Sequence, residues 1–181
     1  MNKITNISLN KEEYGPQSER VTKRNKPQRD LLGTYCTKGK GIDIGSGESR
    51  CHPNAISVDA ISYPDVDIVI DNPKLSMFKD GELDFIVSCH SLEHFRDTKE
   101  TLREWARCLK VGGTLAIIVP DAEIIPKTIS EPGHKVALTK DVMNVLFKRV
   151  LNFKIRELRN LTELEGHKAQ TCILCVGTKR A

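Results

Sequence analysis

No stretch of this 181-residue chain approaches the ~20 consecutive apolar residues that a membrane-spanning helix needs. The start, Met1-Asn2-Lys3-Ile4-Thr5-Asn6, is polar and has no signal-type hydrophobic segment. The expectation is a cytoplasmic protein with no membrane span. Six cysteines stand at 36, 51, 89, 108, 172 and 175, and without a signal segment they do not read as a disulfide framework. Cys172-Ile173-Leu174-Cys175 has no second Cys-x-x-Cys to complete a metal site. It lies in the apolar run Thr171 to Val176, where strand alternation puts the two thiols on opposite faces. There is no internal repeat. Aromatic residues are few, 5% of the chain, and none is interleaved with the basic segment Arg20, Lys23, Arg24, Lys26 and Arg29 as base stacking would require. That segment makes residues 1–40 carry nine Lys or Arg against four acids, a surplus of +5, while residues 41–181 balance at −1. It reads as a solvated helix face, with an anionic acceptor such as a phosphorylated sugar or nucleic acid as the alternative.

What the chain does have is a glycine turn and a carboxylate in register. Gly41-Ile42-Asp43-Ile44-Gly45-Ser46-Gly47 is a short apolar strand entering a turn where the absence of Cβ lets the backbone bend and a ligand lie on it. Ala55-Ile56-Ser57-Val58 is a second apolar strand ending in Asp59. A carboxylate there accepts hydrogen bonds from ribose hydroxyls. The pair describes a nucleoside-containing cofactor at the carboxyl edge of a parallel sheet. A dinucleotide site would need a third glycine and a helix N-terminus for the pyrophosphate. Here Gly45-Ser46-Gly47-Glu48-Ser49-Arg50 lacks that glycine. About ten residues separate the two strands, Pro53 among them, so no full helix fits. A cofactor with ribose and no phosphate suits this better, and S-adenosylmethionine (SAM) is such a molecule.

These motifs resemble class I SAM-dependent methyltransferases. Gly41 to Gly47 resembles their first motif, Ser57-Val58-Asp59 the second, and Asp71-Asn72, after Val66 to Ile70, the acidic position that meets the adenine. Leu83 to His94 and Leu109 to Leu115 are similar to the fourth strand, Leu-Glu-His turn and Lys-x-Gly-Gly turn of the type 11 branch. The resemblance covers residues 39 to 122 well. The short first crossover departs from the usual family pattern and is similar to small polysaccharide-associated methyltransferases. The resemblance implies a Rossmann-like α/β fold: seven strands, mostly parallel with an antiparallel edge strand, helices on both faces. It implies a cofactor set of Asp43, Gly45, Ser46, Gly47, Asp59, Ala60, Asp71, Asn72 and Cys89.

Residues 1–38 read as a loose arm (1–15) and a helical segment (16–36) interrupted at Pro27; residues 39–181 read as one methyltransferase domain. Strands are expected at Gly41–Gly45, Ala55–Asp59, Val66–Ile70, Phe85–Cys89 and Thr114–Val119, with two antiparallel closing strands from Phe153 to Leu158 and Thr171 to Thr178. A helix from about Thr98 to Lys110 has Asp97 as cap, a stripe of Leu102, Trp105, Ala106 and Leu109, and Gly112-Gly113 as terminator. A second, Lys140 to Val150 capped by Thr139, carries Val142, Val145, Leu146 and Val150 as its apolar stripe.

Methyl transfer from a sulfonium needs proximity and alignment above all, and a general base only where the acceptor is a hydroxyl. Groups able to serve lie where loops leave strands four and five: His90, His94, Asp121 and His134. His90 and His134 are the base candidates; His94 reads as a turn residue, and His167 as exposed. His90-Ser91-Leu92-Glu93-His94 also matches the inverted zinc-protease signature, which needs both histidines on one helix face. Directly after a strand there is room for about two turns at most, and the glycine motif and Asp59 would go unexplained, so no metal is expected on His90 and His94. The expected function is methyl transfer to a small-molecule or glycan-linked acceptor. A nucleic-acid methyltransferase and a non-catalytic SAM-binding subunit are the alternatives. Acceptor identity and oligomeric state are not written in the sequence.

Overall fold

The computed structural model describes residues 19–36, 39–161 and 171–181. His167 and the arm at 1–15 lie outside them, as do the side chains of Arg20, Lys23 and Arg24. The strands are β1 (Gly41–Ile44), β2 (Ala55–Asp59), β3 (Ile68–Val69), β4 (Leu83–Cys89), β5 (Leu109–Pro120), β6 (Phe153–Leu161) and β7 (Cys172–Lys179). They form one seven-stranded sheet in the order β3-β2-β1-β4-β5-β7-β6. β1 to β5 are parallel, and β7 runs antiparallel to both its neighbours. The expected seven-stranded Rossmann-like sheet is thus present, with one refinement. The antiparallel strand is β7, one place in from the edge, and β6 is the edge itself. Strand order reverses at β1, which pairs with β2 on one side and β4 on the other. Connections leaving the two strands diverge there and open a crevice at their carboxyl ends.

The sheet is buried on both faces. Along β4, Ile86 enters a layer with Ile42, Leu102, Trp105, Leu115, Met143 and Phe147, while Phe85 and Val87 enter the other with Leu32, Ile118 and Leu174. Alternation along a strand dictates this split. It likewise divides Cys175 from Cys172, which fall in the first and second layers. Helix α1 (Glu19–Gly33) supplies Leu32 to the second layer; α2 (Thr98–Cys108) supplies Leu102 and Trp105, and α3 (Lys140–Val145) Met143, to the first. Between Gly47 and Ala55 there are only turns. Arg50 holds this short crossover by donating to the carbonyls of Ala55 (3.1 Å) and Asp65 (2.7 Å) and to Asp67 Oδ2 (3.0 Å).

Four expectations change. α1 runs unbroken through Pro27; the ring removes one helical donor, a loss that a helix packed on the sheet absorbs. α2 ends at Cys108, so Gly112-Gly113 lies inside β5 and does not terminate the helix. Lys179 Nζ takes over that end, donating to the carbonyls of Ala106 (2.8 Å) and Leu109 (2.7 Å). β3 shrinks to two residues. The second helix stops at Val145 and widens into a π-type turn, Leu146–Val150, closed by Leu151 N–H on the Leu146 carbonyl (3.0 Å). The buried side is Met143, Leu146 and Phe147, the same helical spacing advanced by one residue from the expected stripe, so Val142 and Val145 are exposed. The caps Asp97 and Thr139 accept from Glu100 N (2.9 Å) and Val142 N (3.3 Å) as expected. Among the described residues no helix is long and apolar enough to cross a membrane.

Candidate active site

A cavity of about 360 Å³ opens at the carboxyl ends of β1, β2 and β4, where the strand order reverses. Its floor and walls include Gly45, Val58, Asp59, Ala60, Ile61, Ile70, Asp71, Asn72 and Leu75 on one side and His90, Ser91, His94, Phe95, Trp105 and Pro132 on the other. Of the expected cofactor set, Gly45, Asp59, Ala60, Asp71 and Asn72 therefore meet the cavity. Asp43, Ser46 and Gly47 stand behind it as the frame of the turn, and Cys89 is buried in the opposite layer, with its Sγ 3.9 Å from Gln28 Oε1. Trp105 fills the core as expected and also reaches the cavity wall.

The turn is built by positive φ angles at Gly45 (74°) and Gly47 (57°). At Gly45 a Cβ would come 2.5 Å from the Cβ of Ser91, so the close approach of the two loops admits glycine alone. Asp59 fixes the turn's far end: Oδ2 accepts from Gly47 N (2.8 Å) and Oδ1 from Ile61 N (2.9 Å). A carboxylate oxygen has two lone pairs, so each still has one for a ligand hydroxyl. Burial raises the Asp59 pKa, with the backbone donors of Ile61 and Gly47 pulling against it.

Sequence reasoning missed Arg29. It is 6% exposed. From α1 its guanidinium donates to the Gly45 carbonyl (2.8 Å) and faces Asp43 Oδ2 at 3.4 Å. Asp43 Oδ2 also accepts from Cys51 N at 2.7 Å, so this one carboxylate joins α1, β1 and the short crossover. Burial pushes the Asp43 carboxyl up and Arg29 opposes it. Asp43 Oδ1 and Ser46 Oγ are buried beside the turn and find no hydrogen-bond partner among the described residues. The signal in the sequence was an arginine following Pro27 by two positions and facing an acid inside an otherwise apolar strand.

On the other wall, His90 sits at φ 53°, a left-handed backbone that turns the chain sharply out of β4. Its Nε2 lies 2.7 Å from Gln28 Oε1 and its Nδ1 3.5 Å from Glu93 Oε1. Burial opposes charge on this ring, yet the Cys172 thiol and the Glu93 carboxylate hold its pKa well above the usual histidine value. Gln28 Oε1 and the nearby Glu93 carboxylate both favour the protonated form of this ring. Glu93 is 1% exposed; burial pushes its carboxyl up, but His90 and His94 draw it below the ordinary range. Neither Glu93 oxygen has a hydrogen-bond donor among the described residues. His94 Nδ1 lies 3.0 Å from the loop carbonyl of Gly133. His134 approaches from that loop, its ring centroid 4.9 Å from that of His94 and its Nε2 4.0 Å from Glu93 Oε1. Asp121 is anchored by Glu123 N (3.0 Å) and by the Asn160 amide, and is not in the cavity wall. The turn Leu92–His94 is a single 3₁₀ turn, not the helix that the zinc-protease signature requires.

Residues 31–117 match the methyltransferase domain family. No curated protein matches the chain significantly. Among solved structures, the chain is similar to a Haloferax volcanii methyltransferase solved with its methyltransferase activator: 14% identity, 97% of this chain and 100% of that one, TM-score 0.73. A Burkholderia thailandensis 1,6-didemethyltoxoflavin N1-methyltransferase, bound to 1,6-didemethyltoxoflavin and S-adenosylhomocysteine, aligns at 13% identity over 94% of this chain and 85% of that one, TM-score 0.71. The N-methyltransferase NodS of Bradyrhizobium japonicum, bound to S-adenosylhomocysteine, aligns at 15% identity over 94% and 96%, TM-score 0.67. At these identities the likeness carries the fold.

Proposed function

Because the chain carries a class I SAM-dependent methyltransferase domain, we propose that it moves a methyl group to a small-molecule or glycan-linked acceptor seated against the His94–Pro132 wall of the cavity. The single observation that carries this reading is the two-sided cavity. One wall carries the glycine turn and Asp59; the other brings polar side chains and a loop to the same space. A 360 Å³ pocket suits a nucleoside and a small acceptor. The Burkholderia and Bradyrhizobium structures both hold S-adenosylhomocysteine, and the former also holds 1,6-didemethyltoxoflavin.

The residues fit the cofactor. Asp59 keeps one lone pair per oxygen for the two ribose hydroxyls. Val58, Ile61, Ile70 and Leu75 offer apolar surface to the base, with Asp71 or Asn72 at its polar edge. The orphaned Asp43 Oδ1 and Ser46 Oγ offer buried acceptors beside the turn, where the methionine part belongs. When bound, SAM supplies a methyl on a sulfonium; the acceptor's lone pair forms the new bond as the C–S electrons return to sulfur. The chain's own part is alignment. Arg29 and Asp43 hold the glycine turn, and Ser91 and Trp105 define the space in front of it. His90, beside Glu93 and Gln28, stands with His134 as a candidate base. His134 stands at the acceptor side.

Nucleic acid fits less well as an acceptor, because the basic segment gives Arg29 to the interior and Lys26 to Asp30 at 2.6 Å. The test is transfer of labelled methyl from SAM into cell extracts split into glycan, small-molecule, nucleic-acid and protein fractions. Label in the first two fractions supports the proposal. Label confined to nucleic acid or protein overturns it.

A further inference from the structure

Glu93, His94 and His134 each aim a ligand-type atom at one point: all three atoms lie within 4.8 Å of one another. They come from two segments, the turn after β4 and the loop at 131–136. The loop is not loosely placed. Lys135 N and Val136 N both donate to the Glu93 carbonyl, at 2.8 and 3.3 Å, and His134 N donates to the Glu131 carbonyl at 3.1 Å. The backbone thus brings His134 to Glu93 before any side chain acts. At the centre lies a carboxylate that is 1% exposed, with no hydrogen-bond donor to either oxygen among the described residues. A buried ionised carboxylate without donors is costly. His90 at 3.5 Å answers only part of that cost. His134 Nδ1 is a second buried atom without a partner.

We propose that Glu93, His94 and His134 bind a divalent first-row transition-metal ion at the acceptor side of the cavity. The donor chemistry selects the class of ion. Two imidazoles and one carboxylate suit Mn²⁺, Fe²⁺, Co²⁺ or Zn²⁺; Ca²⁺ and Mg²⁺ prefer all-oxygen sites. No thiolate belongs to the set. The geometry is within reach of coordination. Tetrahedral ligand atoms at about 2.1 Å from an ion lie about 3.4 Å apart, so the widest pair, within 4.8 Å, closes by about 1.4 Å, which side-chain rotation on the loop can supply. His94 is held toward the loop that carries His134, its Nδ1 3.0 Å from the Gly133 carbonyl, an outer contact of the kind that orients metal-binding histidines. The sequence expectation of no metal weighed His90 with His94 as a helical pair. In the structure His90 is turned to Gln28, and the partner of His94 is His134, forty positions on.

Three protein ligands leave positions open, and His94 lines the cavity. On the methyltransferase reading, on which this last step rests, a hydroxyl of the acceptor takes an open position. A divalent ion lowers the pKa of a bound oxygen by many units, so the hydroxyl gives its proton to water near neutral pH. A hydroxylated acceptor then needs no histidine base.

The test is a cobalt titration of the full-length, untagged chain after chelation, followed by visible absorption. The expected result is one equivalent bound with the d–d bands of nitrogen and oxygen ligands and no thiolate-to-cobalt charge-transfer band. Glu93→Gln and His134→Asn should each weaken binding by about a hundredfold. Because Glu93 is buried, His134→Asn, a loop change, is the variant that decides if Glu93→Gln does not fold. No saturable binding, a thiolate band, or unchanged affinity in folded His134→Asn overturns the proposal. SAM binding is measured calorimetrically on the same samples. Cobalt bound without SAM leaves the metal site standing and removes the methyltransferase reading; SAM bound without cobalt does the reverse.

Discussion

Arg29→Met tests how the glycine turn is held. The native guanidinium is nearly fully buried, 2.8 Å from the Gly45 carbonyl and 3.4 Å from Asp43. Methionine keeps the apolar stem and deletes the charge. Removing one partner of a buried ion pair costs about 3–5 kcal/mol, because the other charge is left uncompensated. The 3.4 Å separation is long and Asp43 retains Cys51 N at 2.7 Å, so the lower end applies, about 3 kcal/mol. For a domain of this size that is a fall in melting temperature of about 6–12 °C. Adding Asp43→Asn removes the stranded charge and keeps an acceptor for Cys51. The double variant should therefore recover at least about 1 kcal/mol relative to additivity. The pH dependence has a fixed sign. Burial already raises the folded-state pKa of Asp43, and losing Arg29 raises it further above the unfolded value. The folded state then binds the proton more tightly than the unfolded chain. The penalty is full at neutral pH and shrinks as pH falls through the raised pKa. Thermal denaturation of the two variants between neutral and mildly acidic pH reads all of this. A loss below about 1 kcal/mol for Arg29→Met, or strictly additive variants, would refute the buried linkage.

Gly45→Ala forces a left-handed alanine and brings its Cβ onto Ser91. Destabilisation of about 2–4 kcal/mol is expected from strain and overpacking, part of it relieved by Ser91→Gly; a neutral result in chemical denaturation contradicts the packing described. Asp59 carries a raised pKa through burial, so SAM affinity should begin to fall on acidification at a pH above the ordinary aspartate range, as its ionised acceptor is lost. Calorimetry across pH should show up to one proton released on SAM binding as the protonated Asp59 is forced to ionise, and Asp59→Asn should abolish the dependence. A SAM affinity that stays flat through that range refutes Asp59 as the ribose acceptor.

How much of this was legible in the chain depended on range. The glycine turn, Asp59 and the parallel strands announce themselves because each is local: a φ requirement, a strand end, an apolar run. Even the missing crossover helix followed from counting residues between Ile44 and Ala55. Arg29 was hidden because a cation on a helix has no local mark of burial, and its partners, Asp43 and Gly45, belong to a strand and turn that only the fold brings beside it. Glu93 and His134 were hidden likewise, forty-one positions apart and joined by a backbone contact between two loops. The stripe Val142–Val145 misled because Met143, Leu146 and Phe147 form an equally apolar face one position on, and only packing on the sheet chooses between them; Gly112-Gly113 misled because Lys179, from the far end of the chain, caps α2 before the glycines are reached.

The most direct test of the central claim is calorimetric titration of the full chain with SAM, beside NAD. The account predicts one-to-one binding of SAM and none of NAD. At a concentration about 100 times the dissociation constant, SAM should stabilise the fold by about 2.7 kcal/mol, a rise of about 5–11 °C in melting temperature. Asp59→Ala should lose at least tenfold in affinity. Binding of NAD with none of SAM, or SAM binding indifferent to Asp59→Ala, would contradict it.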